Sequence, residues 1–468
     1  MTDRFDIVII GAGSAGLIGA GFAATLGAKV ALLESHRIGG DCTWTGCVPS
    51  KSVIHSAHIR HDVSRGPCYG IETDGSSADM PRVRAWVRQS IATIYEPTTP
   101  EALERRGINV FLGPAAFADA RTIMCGERRI PAKHILICTG ARASVPDVTG
   151  IRDVPFLTYD TLFELDELPA HLVILGAGPL GVEMAQAFRR LGARVTIVGP
   201  VVLGREEPEA QALVREILTR EGIDVVLERA TSVRTCANGI ELTTPSRSVT
   251  GDRLLVAAGR TPRLEGLDLA RAGVRHDHRG IAVDKYLRTN VKHIYACGDV
   301  IGGAQFSHLA GWQAFQAVRS ALLPGRAVGI ADEMPAVTFT DPEIARVGAT
   351  EAEARQRFGD RVEAYHWPMT KCDRAVCDGE TDGFIKLVTD RGRRILGATV
   401  VASRAGEMIA EITLAMRQHA SVNSLAGTIH AYPTWSSAVQ LAALDVMTAK
   451  LAASRTGRFV RWLSRMTR

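Results

Sequence analysis

No apolar run in this 468-residue chain approaches the roughly 18 residues needed to span a membrane, so a membrane-spanning protein is not expected. Charge of one sign is also scarce. The 55 lysines and arginines nearly balance 50 aspartates and glutamates, leaving a net +5. So mild a charge over this length argues against a nucleic-acid binder. Nine cysteines are too few and too scattered for the disulfide framework of a small secreted domain. The first residues, MTDRFDIVIIGAG, run straight into a strand without the basic, apolar and small-residue order of a secretory signal. A reducing cytoplasm is therefore the expected compartment. With 46% hydrophobic and 22% charged residues the composition is that of a globular protein, and the length calls for two or three domains.

What is present concentrates in GGDCTWTGCVPSK, Gly39 to Lys51. Cys42 and Cys47 stand five residues apart, where a glycine-containing loop reads as turning into a helix with Pro49 and Ser50 in its first turn. The positive end of a helix dipole stabilises a thiolate and lowers the pKa of a thiol placed there. One helical turn would bring the two sulfurs within bonding distance. A buried pair of small side chains and a fragment of a metal site are the competing readings. Zinc would need two further ligands at suitable spacing, and none follow. A redox-active disulfide is favoured, provided a two-electron donor lies beside it.

Such a donor is implied on both sides. Phe5 to Ile10 reads as a buried parallel strand, followed by GAGSAG (Gly11, Ala12, Gly13, Ser14, Ala15, Gly16), an apolar helix, a second strand and Glu34. This order is a complete dinucleotide-binding βαβ unit. Its glycines admit a pyrophosphate to the helix N-terminus, and its acid accepts hydrogen bonds from an adenosine ribose. The unit recurs 165 residues later, with Gly11, Gly13 and Gly16 returning as Gly176, Gly178 and Gly181. Two units imply two dinucleotides, and a flavin with a nicotinamide is the pair that carries hydride. The first, beside the cysteines, is expected to hold FAD and the second NAD(P)H. Where the first unit has Glu34 the second has Gly199, with Arg205 shortly after. Without a carboxylate to repel a 2′-phosphate, the choice tilts to NADPH.

Between the units lie a polar helical stretch and a β-rich part ending in ICTG, with Thr139 and Gly140. After the second unit come AAGR, with Gly259, and ACGDV, where Gly298 and Asp299 end a strand. Asp299 is placed to bind the hydroxyls of a flavin's ribityl chain. From Pro335 on, VTFTDPEIARVG, GFIKLVTD and RRILGATVVA read as strands of an antiparallel sheet. The expected fold is α/β, with two Rossmann-type dinucleotide-binding domains and a C-terminal α+β dimerisation domain. The expected boundaries are 1–148 for the first FAD segment, 149–275 for the NAD(P)H domain, 276–332 for the second FAD segment, 333–447 for the interface domain and 448–468 for a tail.

On these motifs, with FTDPEIARVG, residues 4 to 445 resemble the class I pyridine nucleotide–disulfide oxidoreductases, the family of dihydrolipoamide dehydrogenase and mercuric reductase. The resemblance implies a homodimer in which electrons pass from NAD(P)H through FAD to the Cys42–Cys47 disulfide and on to a small-molecule or protein acceptor. It implies that Cys47 lies against the flavin as the charge-transfer thiol and that Cys42 faces the substrate. Lys51 and Glu183 match the ion pair beside the flavin ring. The family's His-x-His-Pro-Thr-x-x-Glu is here His430-Ala431-Tyr432-Pro433-Thr434-Trp435-Ser436-Ser437, so Tyr432 replaces the catalytic histidine and Ser437 its orienting glutamate. A phenol with pKa near 10 protonates a leaving thiolate poorly, which argues against efficient dihydrolipoamide turnover. Mercuric reductase shares a tyrosine there but passes mercury through a C-terminal cysteine pair, whereas the last cysteine here is Cys377. A mercuric-reductase-like enzyme with another acceptor, such as a disulfide, metal ion or quinone, is the expected description. A partner-docked flavin relay is the alternative.

Two features lie outside these motifs. Cys372 and Cys377 repeat the five-residue spacing, as an accessory dithiol or as two unrelated thiols. From Lys450 to Arg468 there are six basic residues and no acid, with Phe459, Trp462, Leu463 and Met466 in helical period. This pattern fits weak docking to an anionic membrane surface or an acidic partner, or packing on its own dimer.

Overall fold

The computed structural model describes residues 4–466. Strand β1 (Phe5–Ile10) opens it with Ile7, Val8 and Ile9 fully buried, as a parallel strand covered on both faces requires. Helix α1 (Ser14–Thr25) follows, and strand β2 (Val30–Glu34) pairs parallel to β1. Their sheet has the order Ile108–Leu112, β2, β1, Arg128–Ile137, Thr122–Cys125, Ala115–Asp119. Strand Ile294–Ala296 joins it by pairing parallel to Arg128–Ile137. The sheet that carries the first glycine turn is thus finished by chain from beyond the second unit.

The repeated glycines have a steric cause. Gly11 takes φ +100°, and a Cβ on Gly16 would lie 1.8 Å from the Gly11 carbonyl oxygen. Gly176 takes φ +120°, and a Cβ on Gly181 would lie 1.9 Å from the Gly176 oxygen. A helix can start this close to its turn only when both positions lack a side chain. The second unit builds a four-stranded parallel sheet in the order Asp224–Val226, Arg194–Val198, His171–Leu175, Arg253–Val256.

The chain separates into two compact units, one comprising Met1–Val201 with Glu221–Ala331 and the other Val202–Arg220 with Asp332–Arg468. The second contains the expected antiparallel sheet, in the order Ala336–Thr338, Glu343–Gly348, Ile395–Ala402, Phe384–Asp390, Val362–Pro368. Helices Ala405–Arg417 and Ser437–Ala453 contribute to its core. Helix Pro208–Arg220 falls within the stretch 149–275 yet groups with this second unit. Ion pairs tie the segment to the sheet. Lys386, 5% exposed, holds Glu207, Glu209 and Glu351 at 3.1, 2.7 and 2.9 Å, and Arg346 holds Glu206 at 3.1 Å.

Candidate active site: a thiol pair on a dinucleotide cavity

The cysteines are carried by two helices rather than one turn. Helix α2 (Gly40–Trp44) contains Cys42, and helix α3 (Cys47–Arg65) begins at Cys47. Gly46 divides them, where a Cβ would meet the Asp41 carbonyl oxygen at 2.9 Å. This corrects the expectation of a single turn, since it is the break between helices that lets the thiols meet. Gly40, at φ +58°, lies so close to the first glycine turn that a Cβ on it would be 2.7 Å from the Gly13 Cα. The thiol loop and the dinucleotide turn are therefore in backbone contact.

The two thiols are hydrogen-bonded to each other, and Cys47 Sγ lies 3.2 Å from Ser307 Oγ. The hydrogen bond from Cys47 pulls the Cys42 thiol down to about 6, helped by Ser307 and Ser14 against the opposing effect of burial. Cys47 is pushed up, because its proton is the one donated and because burial and the charge on Cys42 oppose a second ionisation. The interaction with Cys42 and burial thus oppose the lowering that a place at the head of α3 would give the Cys47 thiol. The hydrogen bond between the thiols outweighs the helix dipole, which is worth less. Lys51, one turn into α3, reaches Glu183 in helix Pro179–Leu191 at 3.0 Å, with the carboxylate 5% exposed.

A cavity of about 1020 Å³ opens in front of the pair. Gly11, Gly13, Ser14, Ala15, Glu34, Gly40, both cysteines, Thr139, Gly140, Gly298 and Asp299 line it. Gly16 is buried in α1 behind that wall. Glu34 also braces the turn, accepting from the Ala12 and His36 backbone N–H groups at 2.7 Å each. Thr139 Oγ1 donates to the Arg263 carbonyl at 2.7 Å. Burial pushes the Asp299 carboxyl up, with Arg260 3.4 Å away drawing it back.

Arg260 and Ser307 are among the lining residues that sequence reasoning passed over. The Arg260 guanidinium also pairs with Asp41, which accepts a hydrogen bond from the Tyr159 hydroxyl at 3.1 Å, and it lies over the Tyr159 ring at 4.9 Å. Its Nε–H is buried without a partner among the described residues, a donor that awaits an oxygen-rich ligand. With the glycine turn for a pyrophosphate and Glu34 and Asp299 for hydroxyls, the residues present fit FAD. The AAGR motif was the available signal for Arg260. Nothing marked Ser307 beyond its place at the start of helix Ser307–Leu322.

Gly176, Gly178 and Gly181 meet at the start of helix Pro179–Leu191, and Gly259 takes φ +120° just before strand Arg260–Pro262. Arg205 is not brought into their unit. It is exposed and belongs to the Val202–Arg220 segment. In the C-terminal unit Tyr432 is 74% exposed and donates to Asp373 at 2.7 Å. His430 turns away from it to Glu411 at 2.8 Å. Cys372 is buried and Cys377 exposed.

Fold and cavity together define a two-dinucleotide oxidoreductase frame with a thiol pair at the first site. The sequence pattern of the family described as "Pyridine nucleotide-disulphide oxidoreductase" matches residues 5–314, and that of its dimerisation domain matches residues 334–443. A mercuric reductase of Bacillus cereus is 34% identical over 450 residues, covering 94% of this chain and 71% of its own. One from Shigella flexneri is 36% identical, covering 93% and 80%. A dihydrolipoyl dehydrogenase of Haloferax volcanii is 33% identical, covering 94% and 96%. Among solved structures, the Cu(II) complex of the HOCl-induced flavoprotein disulfide reductase RclA from Escherichia coli superposes with a TM-score of 0.86 at 28% identity, over 95% of this chain and all of that one. The chain belongs to the class I pyridine nucleotide–disulfide oxidoreductases, which use FAD and NAD(P)H.

Proposed function

We propose that this protein is an NADPH-dependent reductase of a thiol-reactive acceptor, either a disulfide or a soft metal ion held by thiolates. The hydrogen-bonded Cys42–Cys47 pair on the cavity wall carries this reading. Bound there, FAD supplies hydride acceptance from NADPH and transfer of the electron pair onward. Two electrons and two protons open the Cys42–Cys47 bond into two thiols. Cys42, with its thiol drawn down to about 6, is then the nucleophile toward the acceptor, and Cys47 stays on the cofactor side. Lys51, fixed by Glu183, sets a positive charge next to Cys47, and Arg260 and Asp299 would hold the cofactor's oxygens. The mercuric reductases among the relatives support a soft-metal acceptor, and the Cu(II) complex among the solved structures supports a metal ion more broadly. Gly199 in place of an acid supports NADPH over NADH. Anaerobic titration with NADPH tests the reading. Reduction should expose two new thiols at Cys42 and Cys47 and raise a long-wavelength charge-transfer band. Identical free thiols before and after reduction would defeat it. Comparing kcat/KM for NADPH and NADH tests the coenzyme.

A second reading rests on helix Arg455–Met466. Its described side chains include Arg458 and Arg461, and Phe459, Val460, Trp462 and Met466 are all more than half exposed. Arg468 lies outside the described residues, as do the side chains of Arg455 and Arg465. A basic face beside an exposed aromatic face suits the headgroups of an anionic membrane on its cytoplasmic side, where a lipid-soluble quinone would be an acceptor. No helix among the described residues is long and apolar enough to cross a membrane, so the association would be peripheral and salt-sensitive. Co-sedimentation with anionic liposomes, full length against a chain ending at Thr448, tests it. Equal sedimentation of the two removes the membrane reading.

A further inference from the structure

We propose that Cys138 and Cys297 form a second thiol–disulfide couple, closed by a peroxide and clasping the two stretches of chain that wall the dinucleotide cavity. The inference goes beyond the proposed function, since it concerns neither the acceptor nor the coenzyme. It assigns a modification site, with hydrogen peroxide as the class of oxidant.

The pair is built by the sheet. Strands Arg128–Ile137 and Ile294–Ala296 run parallel with Ile137 opposite Ala296, and each cysteine is the residue that follows its strand. The Cys297 N–H donates to the Ile137 carbonyl at 3.1 Å and the Cys138 N–H to the Ile10 carbonyl at 2.8 Å, so both backbones stay in the ladder. Neighbouring strands lie about 4.8 Å apart, within the span of roughly 4.4–6.8 Å that a disulfide bridges. The side chains share a face, for the two Sγ atoms are 3.5 Å apart across 159 positions of sequence. The Cys138 carbonyl also packs against the first glycine turn, where a Cβ on Gly11 would lie 2.4 Å from its oxygen. Directly after the cysteines come Thr139–Gly140 and Gly298–Asp299, which line the cavity as the cysteines themselves do. A bond between the sulfurs would therefore fasten the cavity wall and tie off the whole second dinucleotide unit as one loop.

Cys138 is 6% exposed and Cys297 not at all, so the oxidant meets Cys138 first. The Cys138 thiolate attacks one peroxide oxygen, the O–O bond breaks, and the departing hydroxide takes up the thiol's proton as water. The Cys297 sulfur then displaces the hydroxyl of the Cys138 sulfenic acid, losing its own proton, and a second water leaves. Two thiols and one peroxide thus become one disulfide and two waters. Burial first, and then the hydrogen bond to Cys297, push the Cys138 thiol well up, which keeps the reactive thiolate scarce. The Cys42 thiol, drawn down to about 6, reacts ahead of it. The clasp therefore closes only after the Cys42–Cys47 pair is oxidised, and faster as pH rises.

The test treats the FAD-bound enzyme with hydrogen peroxide, blocks the remaining thiols and maps non-reduced peptides by mass spectrometry. A stoichiometric amount should close Cys42–Cys47 alone. A large excess should join the peptides of Cys138 and Cys297 through a link that dithiothreitol undoes. Cys297→Ala should lose that link and leave Cys138 as a sulfenic or higher acid. Release of FAD, followed as flavin in the ultrafiltrate, should be about ten-fold slower from the linked enzyme than from enzyme oxidised only at Cys42–Cys47. Cys297→Ala should show no such slowing. Free Cys138 and Cys297 thiols after excess peroxide, or wild-type Cys138 oxidised without the link, overturn the couple. A link that leaves FAD release unchanged overturns the clasp. Should Cys297→Ala fail to fold, the wild-type peptide map decides by itself.

Discussion

Cys42 and Cys47 stand five residues apart, and so do Cys372 and Cys377. In the first pair the helix is broken at Gly46, so each thiol belongs to a different helix and the two can touch. In the second pair one short helix runs unbroken from Asp373 to Asp378. Cys372 at its head is buried against Thr434, while Cys377 near its end is exposed. Five residues along an intact helix turn a side chain well away from its starting face. Spacing alone therefore does not define a redox pair. A glycine that stops the helix between the thiols, and a cavity in front of them, do.

This contrast can be broken or sharpened by substitution. Cys42→Ser should lower NADPH-driven acceptor reduction by ~10³-fold or more, since no second nucleophile stands in its place. A double Cys372→Ser, Cys377→Ser variant that suffered the same loss would erase the distinction. Next in size, Lys51→Met should slow reduction by NADPH by about 10²-fold, as expected for removing a fixed charge at the reacting centre. Alkylation of the reduced enzyme then reads the electrostatics. Because the thiolate is the reactive form, labelling at Cys42 should be half-maximal near pH 6 and fall away below it. Labelling there that rises only above pH 8 would mean that the hydrogen bond from Cys47 is not made in solution. The smallest effect belongs to Cys377→Ser, which should leave acceptor kinetics within about two-fold, an exposed surface substitution being close to neutral.

Much of this was legible in sequence because it depends on contacts close along the chain. The turns Gly11–Gly16 and Gly176–Gly181 are local steric problems with one solution, so the repeat read correctly as two parallel βαβ units. The strand-like runs after Pro335 did form an antiparallel sheet, though its pairing of Glu343 with Ala402 spans 59 residues. What stayed hidden depends on partners distant in sequence. Ser307 touches Cys47 across 260 positions, and Arg260 reaches Asp41 across 219. Asp373 meets Tyr432 across 59, in a stretch that drew notice only for its cysteines. A helix N-terminus at Cys47 is visible in sequence, whereas the direction of a hydrogen bond between two thiols is not.

Lys386 carries a consequence for how this chain is made and cut. Its carboxylate partner Glu209 is 177 residues earlier, so a ribosome working at 5–20 residues per second exposes the acids for roughly 10–35 s before the lysine emerges. Until Arg346 emerges, 140 residues after Glu206, the acids lack their partners from the sheet, and Glu209 lacks Lys386 for longer still. A fragment beginning at 333 would meet the converse problem, keeping Lys386 at the edge of its core with only Glu351 beside it. Lys386 would lose two of its three carboxylate partners and the segment that covers it. The C-terminal unit is thus a module in space but not in sequence. It should express as a stable piece only when residues 202–220 are supplied with it.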